Sequence, residues 1–87
     1  MTYLFNSKDV LITQLGEEGV AFNSETNEYF SLNETAFKVL QGVQDGLPVA
    51  AICETLQIEY SIAAPDCEKE VNGVLQTFLS KKLIMEP

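Results

Sequence analysis

Apolar residues follow two different patterns along this chain. Up to residue 32 they come in short runs: Val10-Leu11-Ile12-Thr13-Gln14-Leu15, then Val20-Ala21-Phe22, then Glu28-Tyr29-Phe30-Ser31-Leu32. These runs are rich in β-branched, aliphatic and aromatic residues and predict three strands. Gly16-Glu17-Glu18-Gly19 and Asn23-Ser24-Glu25-Thr26-Asn27 separate them as turns. Links this short join antiparallel neighbours, because parallel pairing needs a crossover. The result is a meander whose first and third strands are its edges.

From residue 33 the period lengthens. Asn33 is a suitable N-cap, and Glu34 stands in the positive first turn. Ala36, Leu40, Val43 and Leu47 recur at helical spacing, with Phe37 widening the stripe, and Asp45-Gly46 ends the helix. A second helix is expected from about Pro48 to Gln57, with Val49, Ile52, Cys53 and Leu56 inward. After a loop from Ile58 to Ala64, a third helix starts near Pro65-Asp66 and ends around Lys81-Lys82. Its stripe is Cys67, Val71, Val74, Leu75 and Phe78. Leu83-Ile84-Met85 is either a last short strand or an apolar tail on the core.

Three strands followed by three helices make an α+β arrangement, with a helix-turn-helix and the strands as a wing, hence a winged helix. The 87 residues suit a single domain, 1–87, and 46% of them are apolar, enough for a core without metal or disulfides. No apolar run approaches the ~20 residues that span a bilayer, and the first residues lack a signal-peptide pattern. A cytoplasmic protein without membrane contact is expected.

Charge then narrows the function. Thirteen carboxylates against five basic residues give a net charge of −8. Such a surface repels a phosphate backbone, so nucleic acid is not expected as a partner even though winged helices commonly bind it. The acidity serves solubility or favours a basic partner.

Candidate chemistry is sparse. With no histidine in the chain, Ser-His and Cys-His nucleophilic pairs are excluded. Cys53 and Cys67 form no CxxC and fall on apolar helix faces, as buried free thiols do. Two sulfurs and scattered carboxylates do not make a zinc site. Glu17-Glu18 sits in a turn, and Glu68 and Glu70 lie on different helix faces, so neither pair has the split environment of an acid–base couple. Gly16-x-x-Gly19 lacks the context of a phosphate loop. No enzyme activity and no cofactor are expected. Gly73 is the odd residue of the third helix, costing about 1 kcal/mol relative to alanine. It reflects tolerated drift, close packing against another helix, or a low wall that leaves room for a ligand.

The strand Glu28 to Leu32 carries the most information. Alternation puts Phe30 and Leu32 on one face and Tyr29 and Ser31 on the other. An aromatic edge strand is either covered by the protein's own chain or open to pairing with an extended peptide.

Several stretches resemble the PqqD-like family. They are Glu28-Tyr29-Phe30-x-Leu32-Asn33-x-Thr35, the helix ending at Asp45-Gly46, Val49-x-x-Ile52-x-x-x-Leu56-x-x-x-Tyr60-x-Ile62, Glu70-Val71-x-x-Val74-Leu75-x-x-Phe78-Leu79, and Leu83-Ile84. The resemblance runs over about residues 5 to 85. It departs at Leu40, where the family often has tryptophan, at Ala36 and Lys82, where it commonly has glycine, and at Pro48, where Thr or Ser is common.

The family members are peptide chaperones, or recognition elements, in the biosynthesis of ribosomally made and post-translationally modified peptides, of the lasso-peptide, quinone-cofactor and radical-SAM types. The resemblance implies an accessory module that binds the leader segment of a precursor peptide as an added strand and presents it to a modifying enzyme or leader protease. The implied binding residues are Glu28, Tyr29, Phe30, Ser31 and Leu32 on the strand, with Cys67, Val71, Asn72 and Leu75 facing them from the third helix. A charge at Leu75 is then expected to weaken binding while the domain stays folded. The competing reading is a winged-helix transcriptional regulator or a protein–protein adaptor.

Overall fold

In the computed structural model, which describes residues 1–87, the three expected strands form one antiparallel sheet. They are β2 (Val10–Leu15), β3 (Glu18–Asn23) and β4 (Glu28–Leu32), in the order β2-β3-β4. Pairing of Leu15 with Glu18 closes the first hairpin over a two-residue loop, where Gly16 takes φ +65°. That left-handed conformation suits glycine and matches the twist of the flanking strands. A second sheet pairs β1 (Leu4–Phe5) with β5 (Ile84–Met85). Leu83-Ile84-Met85 thus contributes a short strand. Its partner near the N-terminus, two residues long, carries too little pattern to be read in advance.

Three helices follow the larger sheet: α1 (Glu34–Gln44), α2 (Val49–Tyr60) and α3 (Ala64–Ser80). This is the α+β order expected. Asn33 caps α1 as expected, its Oδ1 accepting from the Ala36 amide at 2.8 Å. Gly46 at φ +80° turns the chain out of α1, and the amides of Gly46 and Leu47 bond back to Val43 and Gly42.

The second helix differs from expectation. It continues through Ile58, Glu59 and Tyr60 and ends only at Ser61, which takes φ +54°. Its last turn is held from outside: Glu59 pairs with Lys38, and the Tyr60 hydroxyl donates to Glu34, both on α1. These contacts between distant residues overrule the weak local preference of this segment.

One core of 17 residues joins helices and sheet. Phe37, Leu40 and Val43 enter it from α1, Ile52, Cys53 and Leu56 from α2, and Cys67, Val71, Leu75 and Phe78 from α3. Val39 is also fully buried, whereas Leu47 lies beyond the helix and is exposed. Gly19 belongs to β3 rather than to the turn. A Cβ there would stand 2.5 Å from Cδ1 of Phe37, so only glycine lets that ring lie on the sheet. No helix is long and apolar enough to cross a membrane.

Candidate functional site

The sheet has a free edge at β4, since its only partner is β3. Alternate residues of such a strand direct their N–H and C=O groups away from the sheet, ready to pair with another chain. The register with β3 sets Ala21 opposite Phe30 and Gly19 opposite Leu32, which turns Phe30 and Leu32 toward the helices. Leu32 enters the core, and Phe30 stays half-buried at its margin. Tyr29 and Ser31 point the other way. Tyr29 is 73% exposed and packs on Phe22 with ring centroids 4.5 Å apart.

Beside this edge lies a cleft of about 360 Å³ between β4 and α3. Residues 29 to 32 form one side, and Ala36 of α1 adds to the lining. The opposite wall is Val74, Thr77 and Phe78 of α3, with Lys81 and Leu83 just beyond the helix. Lys81 is the one charged group lining it, and its ammonium stands 5.7 Å from the centroid of the Phe30 ring. The arrangement combines unpaired strand backbone, an apolar floor and a single cation at the Phe30 end.

Two buried asparagines fix this wall against the sheet. The fully buried Asn23, at the end of β3, accepts from the Glu25 and Thr26 amides at 2.9 and 3.4 Å. Its amide group faces the carbonyls of Lys81 and Lys82 at 3.4 and 3.5 Å. Asn6 donates to the Lys82 carbonyl at 2.9 Å. Together they bind orphan acceptors at the end of α3, which otherwise have no partner. Sequence reasoning gave Asn23 a turn role only. Its dependence on residues 58 and 59 positions away leaves no local signal.

The helix residues of the expected site do not line this cleft. Cys67, Val71 and Leu75 are buried in the core, with Val71 and Leu75 at 0% exposure. Cys67 points at α2, its thiol 3.5 Å from the Cys53 carbonyl oxygen. None of the three lines the cleft, and Asn72 is exposed away from it. The α3 residues that face β4 are Val74, Thr77 and Phe78, one helical step round from those expected. On the strand side, residues 29 to 32 border the cleft, and Glu28 lies at the outer end of β4.

Both thiols are held as inert core groups. Burial pushes the Cys53 thiol above its ordinary value, with the neighbouring Cys67 adding to the effect. Burial likewise raises Cys67, assisted by the Glu70 carboxylate. Neither has the lowered value of a reactive cysteine.

Residues 18–84 match the family model described as coenzyme PQQ synthesis protein D, PqqD. The chain belongs to the PqqD family. In this PqqD-family chain the matched span takes in β3, β4, all three helices and Ile84, hence both walls of the cleft. No curated protein matches the sequence significantly.

Two solved structures share the PqqD-family fold seen here. One is TbiB1 in complex with the TbiA(beta) leader peptide, with a TM-score of 0.86 and 23% identity over 97% of this chain and 94% of that one. The other is lasso peptide synthetase B1 complexed with the leader peptide, with a TM-score of 0.83 and 21% identity over the whole of both chains. At such identity the likeness establishes the fold.

Proposed function

We propose that this chain binds the leader segment of a ribosomally made precursor peptide as a fourth strand on β4, and presents it to a modifying enzyme or leader protease. The observation that carries this reading is the unpaired β4 edge lying directly beside the apolar cleft. Membership of the PqqD family supports it. So do the leader peptides bound to both structural neighbours.

Magnitudes separate the roles of edge and cleft. A net main-chain hydrogen bond contributes about 0.5–1.5 kcal/mol. Association costs on the order of 4–15 kcal/mol before any affinity appears. A few strand-to-strand bonds therefore offset only part of the cost of binding. Each apolar side chain buried in the cleft adds about 1.5–3 kcal/mol. Strand addition thus sets direction and register, while the cleft selects sequence.

We read the unit that does this as a single domain, residues 1–87, with winged-helix elements turned to peptide rather than DNA. The charge of −8 supports that choice over a transcriptional regulator. As the peptide-holding partner, the chain itself performs no chemistry; the proposed partner enzyme does.

The test is fluorescence polarisation with labelled candidate leader peptides, the TbiA(beta) leader among them. Val74 is half-buried in the cleft wall, so Val74→Asp is expected to lower affinity more than tenfold while the circular dichroism spectrum is unchanged. Binding unaffected by that charge would remove the cleft from the reading.

A further inference from the structure

Gly73 stands inside α3, where only proline is less favourable. The usual reason for such a glycine is a close neighbour. Gly42 in α1 shows that case, since a Cβ there would come within 2.9 Å of Cγ1 of Ile52. At Gly73 a Cβ would meet nothing within 4 Å, so intramolecular packing does not require this residue. Its backbone is not left-handed either, so local conformation gives no reason for it.

The surroundings supply one. Gly73 forms the low point of an open depression that shares Val74 and Thr77 with the β4 cleft and continues along α3 to Glu70, Lys69 and Asp66. The cleft therefore opens onto a shelf that has no side chain at Gly73. Its charged residues sum to −1, and neither carboxylate is in an ion pair, as both ion pairs of the molecule belong to Lys38. The opposite end of the cleft carries Lys81.

We propose that the shelf at Gly73 seats one long basic side chain of the peptide held along β4. Its methylene stem lies over Gly73 and Val74, and its cationic head reaches Glu70 and Asp66. Lysine and arginine combine an apolar stem with a charged tip that stays in water, as such an open site demands. Lys81 repels the same head at the Phe30 end, whereas on the shelf the two carboxylates outweigh Lys69. The inference rests on the peptide-binding reading of the cleft.

A displayed library of random peptides of about 14 residues, roughly 46 Å when extended, reaches from β4 across the shelf. Selection on the wild-type domain is expected to enrich peptides with Lys or Arg at a fixed spacing from apolar residues. Labelled winners are then measured against Gly73→Ala, Gly73→Leu and Glu70→Gln.

Gly73→Ala is expected to raise Tm by about 4–8 °C. It should weaken binding about fivefold, and Gly73→Leu more than tenfold, with Tm also above wild type. Glu70→Gln should weaken winners carrying Lys or Arg and leave unchanged the same peptides with Met at that position. Winners that bind the glycine variants as tightly as wild type overturn the shelf and leave the cleft standing. Enrichment of no peptide by the wild type overturns the cleft reading and the shelf with it.

Discussion

Asn23 connects the sheet to the end of α3 more directly than any other side chain. Its oxygen is engaged by two loop amides, and its nitrogen lies near two carbonyls after the helix, all without solvent access at the side chain. Asn23→Ala leaves those groups without partners, at a cost of about 1–3 kcal/mol for a buried group left unsatisfied. We expect a lowered urea midpoint with an unchanged m-value, and weakened peptide binding, because the cleft wall loses its tether. Lys82, beside this junction, adopts φ +60°, a conformation that favours glycine. The PqqD-like resemblance places glycine commonly at this position. Lys82→Gly relieves the left-handed strain and is expected to raise Tm by a few degrees in a calorimetric scan; a fall would mean that the lysine side chain stabilises the fold.

At the scale of elements, α3 decides the site through its rotation. Val71 and Leu75 face the core, Val74 and Thr77 face β4, and Phe78 borders both. Adjacent helical residues point about 100° apart, so neighbours in sequence have opposite fates. Leu75→Asp places a carboxylate at a fully buried position. Domains of this size have roughly 5–10 kcal/mol of total stability, and an unpaired buried charge removes several of them. We expect this variant to lose its cooperative thermal transition, in contrast to the folded Val74→Asp.

The α1–α2 contact is of a different kind. Lys38 pairs with Glu59 and lies 3.6 Å from Glu34, on an open surface. The bond to Glu59 holds the Lys38 ammonium above the ordinary lysine range, and the bond to Glu34 raises the Tyr60 hydroxyl. Lys38→Met is expected to increase amide exchange in residues 58–60 with little change in Tm. Equal protection in the variant would show that the last turn of α2 holds without the pair.

For the whole molecule, charge and buried thiols set the response to solution conditions. The unfolded thiols titrate near the ordinary value of 9.0, while the native ones sit higher because of burial. Above that pH the unfolded state has released protons that the native state keeps. Stability is therefore full below the unfolded value and falls as pH rises toward the native ones. A urea midpoint that decreases from neutral pH to above 9 checks the sign, and replacing Cys53 and Cys67 by Ala should flatten this dependence.

The amino-acid sequence by itself determined the number, order and kind of the principal elements, because strand alternation, helical spacing, caps and turn residues are local properties. The link lengths made β4 an edge, and the residue counts set the charge that disfavours nucleic acid. Tertiary structure alone decided which side of α3 meets that edge. The α3 stripe spans Cys67, Val71, Val74, Leu75 and Phe78, wide enough to serve a core and a cleft at once. Periodicity shows that a helix has an apolar side but not what lies against each part of it. That choice is made by Cys67 against the Cys53 carbonyl, Phe37 on Gly19, and Asn23 beneath the end of α3. Each of these contacts joins residues far apart in the chain, so β4 was legible as one wall of the candidate site, while Val74 and Thr77 became the other wall of the cleft only once the helices had packed.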